Sequence, residues 1–531
     1  MKRLATLATL AAAIAVGTAL VILGAADTVT TDWPSYNRTL TSERYAPLDQ
    51  INKGNVARLK QLCVLDLDVD VSFQAGPIVI GRTMYVTADR ETLAVDALTC
   101  QQKWRVHEDG ASPALRVNRG AAYLDGRLFR GTGEGDLVAY DAATGNRVWK
   151  TRLADPGKGE SMPAAPIAWN GMVFIGTAGS ERYGVTGRVY AVDAASGKPA
   201  WETYTVPTDA PQPGNEAMQK QARGTWGNAQ GVPVTGGGTW TSYTIDPERG
   251  LLYVPVGNPG PDFTTHVRPG DNLYTNSILV LDARSGVYRT HYSLVPADFH
   301  DWDLGAAPVL ATTKSGRRVV AGAPKDGLLH VYDLASTKKL YATPITTRLN
   351  DTAPLSGTPL RFCPGSSGGT EWNGPAFNPD TNLFYDGTAD WCTTLAVDPA
   401  QLARKPGQTW TGTDLAAQFG KHDLNWAGWV TATDADTGQV KWKFRAGAPV
   451  LSGITPTRGN VVFAGDMDEH AYAFDAATGA VLWRADLPGA PGGGIVTYMI
   501  DNRQVVAFVT GTRSQVFPVS ASSAKIVIFG L

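Results

Sequence analysis

The sequence predicts an all-β protein, a β-propeller of four-stranded antiparallel blades, and three observations lead there. The first is an internal repeat in which aspartate is followed four residues on by glycine and eight on by tryptophan: Asp141/Gly145/Trp149, Asp193/Gly197/Trp201, Asp434/Gly438/Trp442 and Asp475/Gly479/Trp483, with Asp96/Trp104 carrying Cys100 in the glycine's place. The second is the period: neighbouring copies among these five lie 45, 52 and 41 residues apart, which suits a four-stranded sheet too small to bury its own faces. The third is composition. With 58 glycines, 33 prolines and 15 tryptophans in 531 residues, and no low-complexity linker, the chain reads as one turn-rich body. A β-sandwich with coincidental tryptophans is the competing reading.

Each part of the repeat has a physical role. Between Tyr140 and Trp149 an apolar strand end meets a turn whose aspartate accepts backbone N–H groups and whose glycine adopts positive φ. The following strand carries a tryptophan large enough to cover the neighbouring sheet. Strands opening at Thr83-Met84-Tyr85-Val86, Met172-Val173-Phe174-Ile175 and Val461-Val462-Phe463-Ala464 are rich in β-branched and aromatic residues. Looser copies begin at Asp282 (Gly286, then Thr290), at Asp333 (Thr337, Tyr341) and at Asp398, which keeps only the opening Ala396-Val397-Asp398. The long gap between Asp193 and Asp282 leaves room for one diverged unit near Asp246.

The N-terminus stands apart. Met1-Lys2-Arg3 precedes an apolar stretch from Leu4 to Ala26 that reads as an export signal, with residues 27–531 as the propeller domain. The stretch is also long enough to serve as a retained membrane anchor. Either way the body is extracytoplasmic. Four cysteines fit that compartment; three pairings are formally possible, and Cys63 with Cys100 and Cys363 with Cys392 is the one expected. No Cys-x-x-Cys-His occurs, and no spacing suits zinc. A net charge of −2 gives no electrostatic reason to expect nucleic acid or an anionic membrane as partner.

The segment from Trp33 to Val56 resembles the opening of the pyrroloquinoline quinone (PQQ) dependent alcohol dehydrogenases. Further matches are Asn118-Arg119-Gly120, Thr239-Trp240, Gly257-Asn258-Pro259, Asp271-Asn272, Asp301-Trp302-Asp303, Lys325-Asp326-Gly327 and Trp372-Asn373-Gly374-Pro375. The resemblance implies eight blades with a cofactor and a metal on the axis. It places Glu181 and Asn258 as ligands of a calcium ion and counts Asp303 with them at the metal. One carboxylate and one amide oxygen supply about three of the six to eight donors calcium takes, so the cofactor must complete the shell.

The same register assigns Asp303 as the catalytic base and Lys325 as the cation against the quinone oxygens. It makes Trp240 the floor under the planar ring and Arg119 the partner of a cofactor carboxylate or oxygen, and it sets Ser180 and Gln74 around the cofactor. Trp302 would wall the pocket. Read without the resemblance, Glu181 is a surface-loop glutamate, Asn258 a turn residue, and Pro324-Lys325-Asp326-Gly327 a type I turn.

Several positions depart from the family pattern. Leu115 and Arg116 replace two adjacent cysteines, Gln74 a glutamate and Pro163 a threonine. Glu371 stands near an expected asparagine and Leu451 near an expected tryptophan. Gly305 stands where lanthanide-using relatives carry an aspartate, which favours calcium. The expectation is therefore an exported PQQ- and calcium-dependent dehydrogenase that oxidises an alcohol or related hydroxyl compound and passes electrons to a separate cytochrome c or quinone. The alternatives are a non-catalytic envelope assembly scaffold sharing only the repeats, or a sugar-binding or adhesion propeller.

Overall fold

The computed structural model describes residues 31–110, 116–414 and 422–531; the expected export signal and Leu115 lie outside them. Residues 31–531 form one compact unit. Eight four-stranded antiparallel sheets make up the unit, as the repeat and the resemblance together predict. In seven of them the strands follow one another in space as in sequence. Blade 2, for instance, runs through Ala122–Leu124, Arg127–Gly131, Asp136–Asp141 and Arg147–Arg152.

Blade 8 is different. Its first three strands, Ile495–Ile500, Arg503–Thr510 and Lys525–Gly530, come from the C-terminus, and the fourth, Lys60–Asp66, comes from the N-terminal end. Lys60–Asp66 pairs antiparallel with Lys525–Gly530, so the ring closes through a sheet shared by both ends of the domain. Closure removes the exposed sheet edges that an open array would leave. Of the two disulfides, both paired as expected, Cys63–Cys100 ties this closing strand to the turn of blade 1.

The repeat is the glue between blades. Asp141 Oδ1 accepts the Thr144 N–H at 2.8 Å and shapes the turn, and Gly145 lies at φ +76°. The indole of Trp104, one blade back, lies against that glycine: a Cβ at 145 would stand 2.8 Å from the ring. Trp104 Nε1 donates to Ala142 O at 3.1 Å. The same pair of contacts joins Trp149 to Ala194 and Gly197, Trp201 to Ala283 and Gly286, and Trp442 to Ala476 and Gly479. Tyr341 replaces the tryptophan of blade 5 and donates to Ala435 O at 2.9 Å. Apolar residues of adjoining sheets fill the space between, as Phe129, Leu137 and Ala139 of blade 2 do against Val173, Ile175 and Val192 of blade 3.

Two of the expected repeat units are corrected. Asp246 ends the first strand of blade 4, Thr244–Asp246, and Asp282 is that blade's own turn. The long gap before it holds an insertion with the helix Glu216–Arg223 instead of a ninth unit. Asp398 caps the 3-10 turn Pro399–Leu402, inside an insertion that interrupts blade 6. Both aspartates begin ordinary Asx turns; the gap length misled at Asp246 and the three residues Ala396-Val397-Asp398 at Asp398.

Antiparallel order also sorts the loops. The Asp-to-Gly turns join third to fourth strands and therefore lie at one end of the blades. Connections from second to third strand, and from one blade to the next, lie at the other. Every long insertion takes one of the latter routes.

Candidate active site

Each residue assigned to the site stands at that second end. Gln74, Arg119, Trp240, Asp303 and Glu371 precede the first strands of blades 1, 2, 4, 5 and 6, while Ser180, Glu181, Asn258 and Lys325 lie between second and third strands of blades 3, 4 and 5. Scattered positions thus reach one place because strand alternation brings them to one face.

Asp303, nearly fully buried, is the centre of the cluster. Its Oδ1 accepts the Asn258 backbone N–H at 2.9 Å and the Trp240 Nε1–H at 3.5 Å. Its Oδ2 accepts from Lys325 Nζ at 3.1 Å, and the same ammonium reaches Asp301 Oδ2 at 3.4 Å. Ser180 Oγ accepts the Gly238 N–H at 2.9 Å, holding the turn that delivers Trp240. Arg119 Nη1 donates to Trp240 O at 3.2 Å, and its guanidinium lies 4.4 Å from the indole centroid. Arg119 Nε has no hydrogen-bond partner among the described residues although the side chain is buried. Buried, unpaired donors of this kind cost free energy unless a ligand meets them.

Gln74 is the outlier. Its Nε2 donates to Ser72 Oγ at 2.8 Å, its buried Oε1 has no partner among the described residues, and no hydrogen bond joins it to the rest of the cluster. Trp302 packs with Phe263, Phe362 and Leu395, stacks on His300 at 3.9 Å, and donates to Pro364 O at 3.2 Å. The Cys363–Cys392 disulfide holds that region together.

Residues the sequence did not single out are also present. Asp298 accepts the backbone N–H groups of His300 and Trp302, both at 3.0 Å, and so shapes the turn into Asp303. Asp262 accepts from Asn258 Nδ2 at 3.0 Å. Asp301, visible in the Asp301-Trp302-Asp303 triplet, takes its place beside Lys325 only through a left-handed backbone, φ +63°.

The cluster carries more negative than positive charge. Glu181, Asp262, Asp301, Asp303 and Glu371 interact with one another and with Lys325 and Arg119, while Arg268 acts on Asp262 and Arg182 on Glu181 from the margin. Burial, and then the Asp303 charge, holds Glu181 above the usual carboxylate range. Burial, and then Glu181 and Asp303, raises Asp262. Burial opposes the Lys325 ammonium, but Asp301, Glu371 and Asp303 outweigh it and keep its pKa well above the ordinary lysine value. Arg119 is lowered to about 10 by burial.

Among the described residues no three acidic, histidine or cysteine side chains close into a complete metal shell. Oxygen donors without enough positive charge, next to an unpaired buried guanidinium, fit a hard cation whose shell an anionic cofactor completes.

Comparison with known proteins shows the family of the fold. Residues 33–348 match the model of the glucose/ethanol/alcohol dehydrogenase β-propeller domain of PQQ proteins, and residues 427–527 match that of the outer membrane protein assembly factor BamB. The chain is 32% identical to the quinohemoprotein alcohol dehydrogenase ADH-IIG of Pseudomonas putida, over 92% of this chain and 73% of the relative. The crystal structure of the Comamonas testosteroni quinohemoprotein alcohol dehydrogenase superposes with a TM-score of 0.85 at 29% identity, covering 94% of this chain and 81% of that one. A europium-containing methanol dehydrogenase does so with a TM-score of 0.83 at 27% identity, covering 94% and 98%. The chain belongs to the family of PQQ-dependent alcohol dehydrogenases.

Proposed function

We propose that this protein is an exported dehydrogenase that oxidises an alcohol or related hydroxyl compound to a carbonyl, using PQQ and calcium, and hands its electrons to a separate cytochrome c or quinone. The observation that carries the proposal is the setting of Asp303, a buried carboxylate held between the Asn258 N–H, Trp240 and Lys325. PQQ, when bound, supplies a two-electron acceptor.

The chain's own residues do the rest. Glu181 and the Asn258 amide oxygen would hold the ion, Trp240 would support the ring, and Arg119 would meet a cofactor oxygen with the Nε that lacks a partner. Asp303 takes the substrate hydroxyl proton. Lys325 keeps that carboxylate in place and offers fixed positive charge to oxygens that become electron-rich as the reaction proceeds.

Calcium is supported by the space around Gly305. A Cβ there would stand 2.8 Å and 2.9 Å from two atoms of the Trp240 ring, so a side chain at 305 would collide with the floor of the site. The BamB match covers repeats from blades 6 to 8 and none of the clustered residues, which speaks against a scaffold role.

The test is to purify the full chain with PQQ and calcium, record the quinone absorbance, and measure dye-linked oxidation across an alcohol panel. Activity that chelation abolishes and calcium restores supports the reading. No PQQ binding at micromolar concentration would overturn it.

A further inference from the structure

We infer that Asp262 is a positioning residue for the cation site: it clamps the Asn258 amide so that the carbonyl oxygen faces the ion. The inference deepens the reading above and rests on Asn258 being a ligand.

Three observations carry it. First, Asn258 Nδ2 donates to Asp262 Oδ1 at 3.0 Å and to Pro259 O at 3.4 Å. Pro259 O can only accept, and Asp262 Oδ1 accepts the amide in this geometry, so a flipped amide would set oxygen against the Pro259 carbonyl and give up the N–H bond to Asp262. The nitrogen is therefore fixed on that side and the oxygen on the other, where none of the described residues donates to it.

Second, the clamp is itself held. Asp262 is 2% exposed, and its two neighbours are pinned. Fully buried Arg268 donates from Nη2 to Pro261 O at 2.7 Å and to Asp298 O at 2.8 Å. On the other side the Phe263 N–H donates to Thr411 O at 2.9 Å. Asp262 thus belongs to the same hydrogen-bonded frame that shapes the Asp298-to-Asp303 turn.

Third, the backbone of Asn258 already donates to Asp303, which leaves the terminal amide torsion as the residue's main freedom. That torsion is broad and roughly two-fold in the absence of a partner. A neutral amide binds a hard cation through its oxygen alone, so half of the unrestrained orientations would present the wrong atom. Outer-shell partners that fix a ligand's orientation typically control 10- to 100-fold in metal affinity.

The experiment uses the full chain with PQQ and reads calcium affinity by calorimetry, with thermal melts taken before and after metal addition. Asp262→Leu and Asp262→Ala remove the acceptor, whereas Asp262→Asn keeps a carbonyl oxygen that can still accept the Asn258 amide. Expected is about a tenfold or greater loss of calcium affinity in the Leu and Ala variants, with metal-free melting temperatures no lower than wild type. In the Asn variant affinity stays within about threefold.

Wild-type affinity in the Leu and Ala variants would overturn the clamp. An Asn variant that loses as much as they do would also overturn it, because the charge of Asp262 would then be what matters. If the wild-type protein with PQQ takes up no calcium, the ligand reading of Asn258 fails first and the clamp falls with it.

Discussion

Asp303 Oδ1 sits 2.9 Å from the Asn258 backbone nitrogen, and the glycine at 257 is what allows the approach: a Cβ there would stand 2.5 Å from the same oxygen. Gly257→Ala should push the carboxylate away from its three donors while leaving the blades intact. A displacement near 1 Å at a reacting group costs on the order of 100-fold. The expected outcome is a fall in kcat of about that size with a melting temperature close to wild type, read from steady-state kinetics and calorimetry.

Replacing the base itself is more severe. Asp303→Asn keeps the size and one acceptor but cannot take the proton, so dye-linked activity should drop by about 10²- to 10⁴-fold. PQQ absorbance should persist, because Trp240 and Arg119 are untouched. Retained activity would remove Asp303 from the mechanism.

Blade docking gives a stability prediction that does not depend on function. Trp149 is half-buried, donates to Ala194 O at 3.1 Å, and covers Gly197 of the next blade. Trp149→Ala removes ring and hydrogen bond together and should destabilise by about 3 kcal/mol, measured by denaturant unfolding. Gly197→Ala should also destabilise, since φ is +73° and a Cβ would meet the ring at 2.7 Å.

Asp386 in blade 6 makes stability depend on pH. It is fully buried, neither carboxylate oxygen has a hydrogen-bond partner among the described residues, and burial raises it to about 8. Between its ordinary value near 4 and about 8 the folded protein keeps this proton and the unfolded chain has lost it. This group's contribution is therefore most favourable below about pH 4 and declines as pH rises, with a slope of at most about 1.4 kcal/mol per pH unit. Asp386→Asn should flatten the stability profile between pH 5 and 8 and be the more stable protein at pH 8. Parallel profiles would refute the assignment.

The closing disulfide offers a further check. Cys63 and Cys100 are 37 residues apart, and a loop of that length corresponds to about 3–4 kcal/mol in the chain-entropy account. Cys63→Ser with Cys100→Ser should lower stability by roughly that amount and expose the Lys60–Asp66 strand first, visible as faster amide exchange there.

How much of this was legible beforehand follows from what each feature needs. The Asp-x-x-x-Gly-x-x-x-Trp spacing is a local device: a turn, a positive φ and a ring that covers the next turn all lie within nine residues, so the blade motif could be read from Asp141 to Trp149 alone. Where the pattern is diluted, local reading failed. Asp246 and Asp398 begin Asx turns like the others, and only strand pairing shows that neither marks the turn from a third to a fourth strand.

The site divides the same way. Asp303, Lys325, Asn258 and Trp240 stand in recognisable short motifs, while Asp262 and Arg268 lie in one connection of blade 4 and Asp298 in the next, held by contacts from Arg268 to Asp298 and from Phe263 to Thr411. The Phe263-to-Thr411 contact joins residues far apart in sequence, and nothing in the local pattern encodes it. Residue types and turn spacing specify which blades form and which carboxylates are available. Convergence on Asp303, and the negative charge that gathers around it, arise because antiparallel strands return successive loops to one face of a closed ring.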